Sequence, residues 1–358
     1  MMRRLLSRAA QAFSMDIAID LGTANTLVYV RGKGVVIAEP TMAALNRKTG
    51  QLVAVGAAAR GMLGRTPAHI EVVRPLVEGV ISDFEVTEEL LAYFIAKARA
   101  GSRSLIPPRV LIGVPYGITN VEMRAARDAA LGAGAREALL IVEPMAAAIG
   151  SKLPISTATG NMVIDIGGGT TDIAVISLSG IVTARAVRVA GDHLNADIVS
   201  YIRSRQKVLI GERTAEELKG ALASLSASAA SNGRHEAIVR GRDVVSGLPK
   251  EAAITEQDVR RAISQGIDAI VEAARDVLSE TPPEVVADIM QRGIYFSGGG
   301  ALIPGGARLL EESLGVPVVT VPDPLCAVIR GAGIVLEHLE DYADILAEND
   351  GELAPRFA

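Results

Sequence analysis

The chain has 358 residues, of which 49% are apolar and 22% charged, and its formal net charge is −5. This length is sufficient for two domains of ordinary size, and the negative charge argues against a general nucleic-acid binder. The one cysteine, Cys326, excludes an internal disulfide framework and fits a reducing compartment. Because its neighbours are apolar, we interpret Cys326 as a small core residue.

The first thirteen residues have the pattern of a basic amphipathic helix. At about 100° per residue, the apolar side chains fall on one half of a helical wheel and the basic and polar ones on the other, with no acid before Asp16. Helices of this kind lie in anionic membrane surfaces. A transit peptide and a frayed terminus are the alternatives. We favour membrane contact through Met1, Met2, Leu5, Leu6 and Phe13.

The region from residue 16 to residue 157 alternates predicted strands with predicted helices. Residues 46–80 are rich in turns, which suggests a small inserted subdomain, and the loop 102–108 carries two conspicuous apolar residues, Leu105 and Ile106. Thr119 and Glu122 have the spacing of a capping box. Strands are predicted over 17–20, 26–30, 35–38, 109–114 and 138–142, and helices over 87–99, from Thr119 to about 132, and from Glu143 onward.

From residue 161 the β-rich pattern repeats, without a low-complexity linker before it. Helix starts are predicted at Thr255, with Asp258 completing a cap, and at Thr281, before two prolines and Glu284. Strands are predicted over 162–166, 173–177, 181–189, 293–296 and 316–321, and the remaining helices over 192–206, 214–224, 307–314 and 324–338.

Two loops, 145 positions apart, carry nearly the same sequence. Asp20-Leu-Gly-Thr-Ala-Asn-Thr26 and Asp165-Ile-Gly-Gly-Gly-Thr-Thr171 each place an acid at the end of a predicted strand, then small residues, then another strand. Glycine lets backbone N–H groups approach phosphate oxygens, and the acids could carry a metal. Neither loop matches the dinucleotide or Walker fingerprint, so turn amides and hydroxyls would hold the phosphate. Two ordinary hairpins are the alternative, but a matched pair favours two related domains facing one ligand.

Glu143 is the strongest catalytic candidate. It directly follows an apolar strand and precedes Pro144 at a helix start, so it should lie at the end of a sheet. There it could orient a water for in-line attack on a γ-phosphate, with the hydroxyls of Thr170 and Thr171 near the same water. The alternative is an acid that stabilises the N-terminus of its own helix.

Two further segments have both a structural and a functional interpretation. The Gly-rich turn Ser297–Ala301, which a predicted helix follows, could pack against a nucleoside or be a tight strand-to-helix turn. In Gly211–Lys219, Thr214 and Glu217 have capping-box spacing, and Glu216 and Lys219 form an i,i+3 surface pair. For this second segment the pattern alone favours the structural interpretation over contact with ribose and adenine.

In this order, the segments resemble the actin, Hsp70 and sugar-kinase superfamily, and within it the MreB family of bacterial actins. The resemblance covers about residues 16–338. The stretches that carry it are 19–29, 112–115, Glu143-Pro-Met-Ala-Ala-Ala-Ile-Gly150, 163–172, Ile210-Gly-Glu-Arg-Thr-Ala-Glu-Glu-Leu-Lys219, Arg240-Gly-Arg-Asp243 with its continuation to Lys250, and Ser297-Gly-Gly-Gly-Ala-Leu302.

The resemblance implies an α/β, actin-like fold of two duplicated RNase H-like domains, with four subdomains and a central nucleotide cleft. The expected divisions are a membrane-binding segment 1–15, domain I over 16–157 plus 325–345, domain II over 158–324, and a tail 346–358. The small subdomains are expected at about 46–80 and about 195–255.

ATP and Mg²⁺ are the implied cofactors. Asp20 and Asp165 are expected near the metal through water, and Glu143 and Thr170 correspond to the water-positioning residues of the family. Phosphate contacts are expected from Thr23, Ala24, Asn25, Gly167, Gly168 and Gly169. Nucleoside contacts are expected from Glu216, Glu217, Leu218, Lys219, Gly298, Gly299, Gly300, Ala301 and Leu302.

The implied function is that of a slow ATPase whose turnover is coupled to assembly of homopolymer filaments. Such filaments lie on the cytoplasmic face of the cell membrane and direct cell-wall synthesis and cell shape with membrane-embedded elongation proteins, without nucleic acid as a partner. Met1–Phe13 and Leu105-Ile106 fit the membrane contacts of the family. A non-polymerising ATPase or kinase of the same superfamily, or an inert nucleotide-binding scaffold, is the alternative.

Part of the sequence departs from the family pattern. Gly191-Asp-His-Leu-Asn195 stands where Gly-Asp-Glu/Lys-Met-Asp is usual, and the residues after Lys219 and before Ile210 also differ. These departures are compatible with a divergent paralogue.

Overall fold

The computed structural model describes residues 15–101, 104, 106–225 and 236–346. The predicted amphipathic segment 1–13 and Leu105 therefore lie outside the described residues. The chain divides into two compact units. Unit 1 contains Met1–Thr159, Ile176–Ala184 and Cys326–Ala358, and unit 2 contains Gly160–Val175 and Arg185–Leu325.

Unit 1 is built on a five-stranded sheet in the order β10-β9-β1-β2-β3. Strand β1 is antiparallel to β2 and parallel to β9, which is parallel to β10. The apolar runs of β1 and β9 are almost wholly buried, as expected of a sheet covered on both faces. A second sheet, β5-β4-β6, and the short pair β7-β8 lie in the turn-rich region. The strands are β1 (Ile17–Leu21), β2 (Asn25–Val30), β3 (Gly34–Pro40), β4 (Ala43–Asn46), β5 (Leu52–Val55), β6 (Ile70–Val73), β7 (Leu76–Val77), β8 (Val80–Ile81), β9 (Arg109–Val114) and β10 (Glu137–Val142).

The first helices of unit 1 are α1 (Ala57–Met62), α2 (Phe84–Arg99), α3 (Asn120–Gly132) and α4 (Glu143–Gly150). The predicted capping box of Thr119 and Glu122 is confirmed at the start of α3. The predicted start of α2 at Thr87 is wrong. Asp83 caps this helix by accepting from the Val86 N–H at 3.1 Å, and the Thr87 hydroxyl donates to the Asp83 carbonyl from inside the first turn.

Unit 2 contains most of a second five-stranded sheet, in the order β13-β12-β11-β17-β18, and a three-stranded sheet β14-β15-β16. The strands are β11 (Asn161–Ile166), β12 (Thr171–Ser177), β13 (Gly180–Val187), β14 (Val208–Leu209), β15 (Glu236–Asp243), β16 (Pro249–Thr255), β17 (Ile294–Ser297) and β18 (Val318–Thr320). The helices are α5 (Gly191–Arg205), α6 (Glu212–Leu222), α7 (Glu256–Glu280), α8 (Pro283–Arg292) and α9 (Gly306–Leu314).

The two five-stranded sheets have the same strand order. In each, the first strand is central, the next two strands in sequence lie on one side, and two later strands lie on the other. Asp20 is the fourth residue of β1 and Asp165 the fifth of β11. The repeat of strand, turn and strand predicted from the sequence is thus part of a duplicated sheet.

Some predicted helix starts in unit 2 differ from the structure. The box of Thr255 and Asp258 is confirmed at α7. Helix α6 begins at Glu212, two residues before Thr214, and has no side-chain cap, so the predicted Thr214–Glu217 box is wrong. The Thr281 hydroxyl donates to the Val277 carbonyl at 2.7 Å and thus closes α7 rather than opening α8. The helix predicted after the Gly-rich turn is confirmed as α9, and the turn itself contains a short 3₁₀ segment, Gly299–Leu302.

The last helix, α10 (Ala327–Glu337), belongs to unit 1 and packs closely against α4. A Cβ added at Gly331 would collide with the Ala146 carbonyl oxygen, and one at Gly150 would collide with that of Ala327. Bare backbone is therefore required on both helices at this crossing. No helix in the described part of the chain is long and apolar enough to cross a membrane.

Candidate functional site

The first acid-tipped loop joins β1 to β2 in unit 1. Asp20 lies opposite Gly113 of the parallel strand β9, so its carboxylate is at the carboxyl end of both strands. Added at Gly22, a Cβ would lie 2.8 Å from the Asn25 carbonyl oxygen, which explains why the turn needs glycine there. Thr23, Ala24 and Asn25 form the rest of the turn.

Hydrogen bonds of threonine hydroxyls hold this loop against neighbouring segments. Thr41 donates to the Gly22 carbonyl at 2.6 Å, and its own oxygen lies 2.8 Å from that of Thr26. Thr23 accepts from the Gly79 N–H at 2.9 Å, so its hydroxyl hydrogen is directed to another acceptor. The turn is therefore held in place by residues that the sequence patterns did not indicate, Thr41 and Gly79.

Glu143 lies at the same edge of the sheet in unit 1 as Asp20. It follows β10, is the first residue of α4 and is 9% exposed. The absence of a side chain at Gly113 leaves room beside Glu143, since a Cβ there would lie 3.6 Å from Glu143 Cγ. Gly113 faces Asp20 on one side and Ile141 on the other. Asp20 and Glu143 thus follow strands at the same edge of this sheet, with β9 between the two strands.

The second acid-tipped loop joins β11 to β12 in unit 2. Asp165 faces Ser297 of the parallel strand β17, and Ser297 Oγ donates to Asp165 Oδ1 at 2.6 Å. Asp165 is 6% exposed. Burial raises its pKa to about 6, although the Ser297 hydrogen bond lowers it in part. A nearby cation would therefore stabilise the charged form of this carboxylate.

The glycine turn after Asp165 is attached to the N-terminus of α5. The Gly167 N–H donates to the Thr170 carbonyl at 2.9 Å, which closes the turn. The Gly167 carbonyl accepts from the Gly191 N–H at 3.1 Å and the Gly168 carbonyl from the Asp192 N–H at 2.8 Å. Thr170 is buried. The first amides of α5 therefore fix the orientation of the turn's carbonyls.

Helix α6 contributes a polar cluster next to this attachment. Lys219 Nζ donates to the Gly191 carbonyl at 2.8 Å and to Glu216 Oε2 at 3.0 Å, which confirms the predicted Glu216–Lys219 pair. Asn195 Nδ2 donates to the same Glu216 oxygen. Of the other two nucleoside candidates on α6, Leu218 is buried, and Glu217 is exposed and paired with Arg213 at 3.0 Å.

The third Gly-rich turn packs directly on the end of β11. Gly298 has a φ of 80° and its Cβ position would collide with the Ile166 carbonyl oxygen, and a Cβ at Gly300 would lie 2.5 Å from Ile166 Cβ. These glycines are thus needed for close packing as well as for the conformation of the turn. Within unit 2, this turn of Gly298, Gly299, Gly300, Ala301 and Leu302 lies beside the strand that carries Asp165.

The structure therefore groups the candidate residues of each unit at the carboxyl end of its central strand. In unit 2, the residues that sequence patterns missed are Ser297 as the partner of Asp165, Asn195 as the partner of Glu216, and Gly191 as the attachment of the glycine turn. The departure of Asn195 from the family pattern was the available signal for that residue. Ile106, one of the two apolar loop residues, is half-buried, and its carbonyl accepts from Arg99 Nη2 at 3.3 Å.

Comparisons with known proteins identify the family. The family model described as "MreB/Mbl protein" matches residues 14–344. The chain is 47% identical over 329 residues to the cell shape-determining protein Mbl of Bacillus subtilis (strain 168), with 92% of this chain and 97% of the relative covered. It is 45% identical over 349 residues to the cell shape-determining protein MreB of Escherichia coli (strain K12), with coverages of 96% and 100%.

Solved structures give the same result. MreB5 of Spiroplasma citri bound to ADP superposes with a TM-score of 0.85 at 38% identity, covering 92% of this chain and 98% of that one. The MamK double helical filament has a TM-score of 0.76 at 25% identity, with coverages of 90% and 99%. The fold is actin-like, as predicted, and the chain belongs to the MreB/Mbl family.

Proposed function

We propose that this protein is an ATP-binding, ATP-hydrolysing actin-like cytoskeletal protein that polymerises into membrane-associated filaments and directs cell-wall synthesis and cell shape. The observation that carries the proposal is the pair of matched acid-tipped loops, each at the carboxyl end of the central strand of a five-stranded sheet. Relatives whose names or titles record ADP, AMPPNP, filaments and cell-shape determination support it.

The acids of the two loops fit Mg²⁺, which prefers carboxylate oxygens and keeps several of its waters. Asp165 is buried with a raised pKa, so a cation would favour its charged form. Asp20 and Asp165 would hold the metal through water. The metal would neutralise part of the charge on the phosphates.

The turns of both loops would bind the phosphates. Thr23 has its hydroxyl hydrogen to donate because its oxygen already accepts from Gly79. Ala24, Asn25, Gly168 and Gly169 would present backbone amides, which is the usual reason for small residues in an anion-binding turn. Gly167, whose N–H closes the turn onto Thr170, would let its bare backbone approach the phosphate. Glu216 to Lys219 and Gly298 to Leu302 would border the nucleoside.

Glu143 and Thr170 would position the hydrolytic water. Glu143 is nearly buried at the end of β10, at the same sheet edge as Asp20, where a carboxylate can accept a proton or orient a water by accepting its hydrogen. Nucleotide would then shift the population between domain arrangements that favour or disfavour assembly. The two domains in this proposal are 16–157 with 325–345, and 158–324.

The filaments would lie on the cytoplasmic face of the membrane. Met1, Met2, Leu5, Leu6 and Phe13, on the apolar side of a basic amphipathic segment, would insert among anionic lipids together with Leu105 and Ile106. Membrane-embedded elongation proteins would be the partners.

One experiment tests the proposal as a whole. The full chain is incubated with ATP, Mg²⁺ and anionic liposomes, and electron microscopy is combined with phosphate release. Filaments on the lipid together with phosphate release support the proposal. Turnover that requires an added small acceptor would instead indicate a kinase, and filaments without phosphate release an inert scaffold.

A further inference from the structure

Asn195 is a buried amide that faces a carboxylate. It lies on α5 with 1% of its surface exposed, and its Nδ2 donates to Glu216 Oε2 at 2.5 Å. Its Oδ1 has no hydrogen-bond partner in the part of the chain that the structure describes. Because a carboxylate only accepts, the donor end of the amide must face Glu216.

The same Glu216 oxygen is bonded to a second donor that leads to the glycine turn. Lys219 Nζ lies 3.0 Å from Glu216 Oε2 and donates to the Gly191 carbonyl at 2.8 Å, and the Gly191 N–H donates to the Gly167 carbonyl. Glu216 is thus held on one side by two donors, while its side chain keeps 44% of its surface exposed.

The amide at position 195 is specifically suited to this arrangement. An acid there, as the family pattern would have it, would place two carboxylates 2.5 Å apart, where like charges repel. Alanine would remove this donor from Glu216, while the hydrogen bond from Lys219 would remain. A neutral donor at this buried position therefore holds the Glu216 carboxylate in one orientation without like-charge repulsion.

We propose that Asn195 is a positioning residue that fixes Glu216 to accept hydrogen bonds from the ribose hydroxyls of the bound nucleotide, and thereby sets a preference for ribonucleotides over 2′-deoxyribonucleotides. This inference rests on the proposed nucleotide function. Glu216 is connected by hydrogen bonds, through Lys219 and Gly191, to the glycine turn that is proposed to bind the phosphates. Because the sugar of a nucleotide is joined directly to its phosphates, the ribose would lie close to Glu216. Ribose hydroxyls are donors that a fixed carboxylate can accept, and such sites discriminate against an analogue that lacks the hydroxyl.

The test compares the affinities for ATP and 2′-deoxyATP, each with Mg²⁺, in the full chain. The wild type should prefer ATP by about tenfold, the worth of one hydrogen bond to a charged group. Asn195→Ala should reduce this ratio to between about one and two, through weaker ATP binding with little change for 2′-deoxyATP. Ser200→Ala, on an exposed position of the same helix, should keep the wild-type ratio. If Asn195→Ala does not fold, Asn195→Leu replaces it at similar volume.

A second pair of variants separates positioning from a merely structural role. In a Glu216→Gln background, Asn195→Ala should leave the ratio unchanged, because the carboxylate on which it acts has been removed. Equal losses of affinity for both nucleotides in Asn195→Ala would overturn the inference, as would a wild type without ribose preference, and both would leave the proposed function intact. A wild type that binds neither nucleotide would overturn the proposed function as well.

Discussion

Ser297 donates its hydroxyl hydrogen to Asp165 across 2.6 Å, and the two residues face each other on the parallel strands β17 and β11. This hydrogen bond lowers the pKa of the Asp165 carboxyl, but burial outweighs it, so the pKa rises to about 6. The nucleotide-free protein therefore contains an acid whose ionisation opposes folding.

Asp165→Asn should stabilise the nucleotide-free protein at pH 8. The raised pKa of Asp165 contributes stability that is fully present below its unfolded value of 3.8 and is lost as the pH rises through about 6. Above that range the wild type is less stable by up to about 3 kcal/mol in the free energy of unfolding. This figure is the pKa shift of Asp165, from 3.8 to about 6, multiplied by about 1.4 kcal/mol per pKa unit. Urea unfolding in EDTA measures the difference, which should shrink as the pH falls below about 6.

The control for this measurement is Asp268→Asn, at an exposed position of α7. It should change the unfolding free energy by less than about 0.5 kcal/mol at either pH. A variant at Asp165 that is less stable than the wild type at pH 8 would contradict the account of this carboxyl.

Glu143→Gln should slow phosphate release while sparing ATP affinity. The amide has the same shape but cannot accept a proton, so a loss of about 100-fold in turnover is expected if Glu143 positions and deprotonates the water. Single-turnover phosphate release and equilibrium ATP binding separate the two effects. Glu89→Gln, exposed on α2, is the matched control and should change neither quantity. Turnover retained in Glu143→Gln would remove Glu143 from the mechanism.

Gly331→Ala should destabilise unit 1, because the added methyl would collide with the Ala146 carbonyl where α10 crosses α4. Overpacking of this kind costs about 1–3 kcal/mol. Thermal or urea unfolding measures it. Gly61→Ala, in α1 with nothing within 4 Å of the new Cβ, should be neutral or stabilising. Comparable stability of Gly331→Ala and the wild type would mean that the two helices do not cross this closely.

Removal of residues 1–13 should weaken binding to anionic liposomes far more than ATP binding. The segment carries the apolar face and the basic residues that attract anionic lipids. Co-sedimentation with anionic and with neutral vesicles, alongside nucleotide affinity, measures both. Equal loss of lipid and nucleotide binding would argue against a membrane anchor.

Local patterns in the sequence were sufficient for much of the fold. The capping boxes at Thr119 and Thr255 depend on residues three apart, and both formed as predicted. The same logic failed at Thr214, because α6 begins earlier at Glu212, and at Thr281, because its hydroxyl bonds to the preceding helix. A threonine with suitable spacing has several local acceptors, and tertiary packing decides among them.

The parts of the candidate site that the sequence did not reveal are long-range contacts. Asp165 and Ser297 are 132 residues apart, and Gly331 is fitted to Ala146 only because α10 returns to α4. The acids, glycines and Glu143 were visible as motifs, whereas partners that hold the first loop in place, Thr41 and Gly79, have no local pattern of their own. The motifs therefore indicated which residues could do chemistry, whereas the residues that hold them in place became apparent only from the fold.

The most direct test of the central claim is the Mg²⁺ dependence of ATP binding in Asp20→Asn, Asp165→Asn and the double variant, by calorimetry. If both loops act on one Mg²⁺-ATP, the wild type should bind one ATP per chain, and each single variant should lose the tightening that Mg²⁺ gives. The double variant should then lose little more than either single variant, because residues that act as a unit are not additive. Fully additive losses, or Mg²⁺-dependent binding that survives either substitution, would contradict the account.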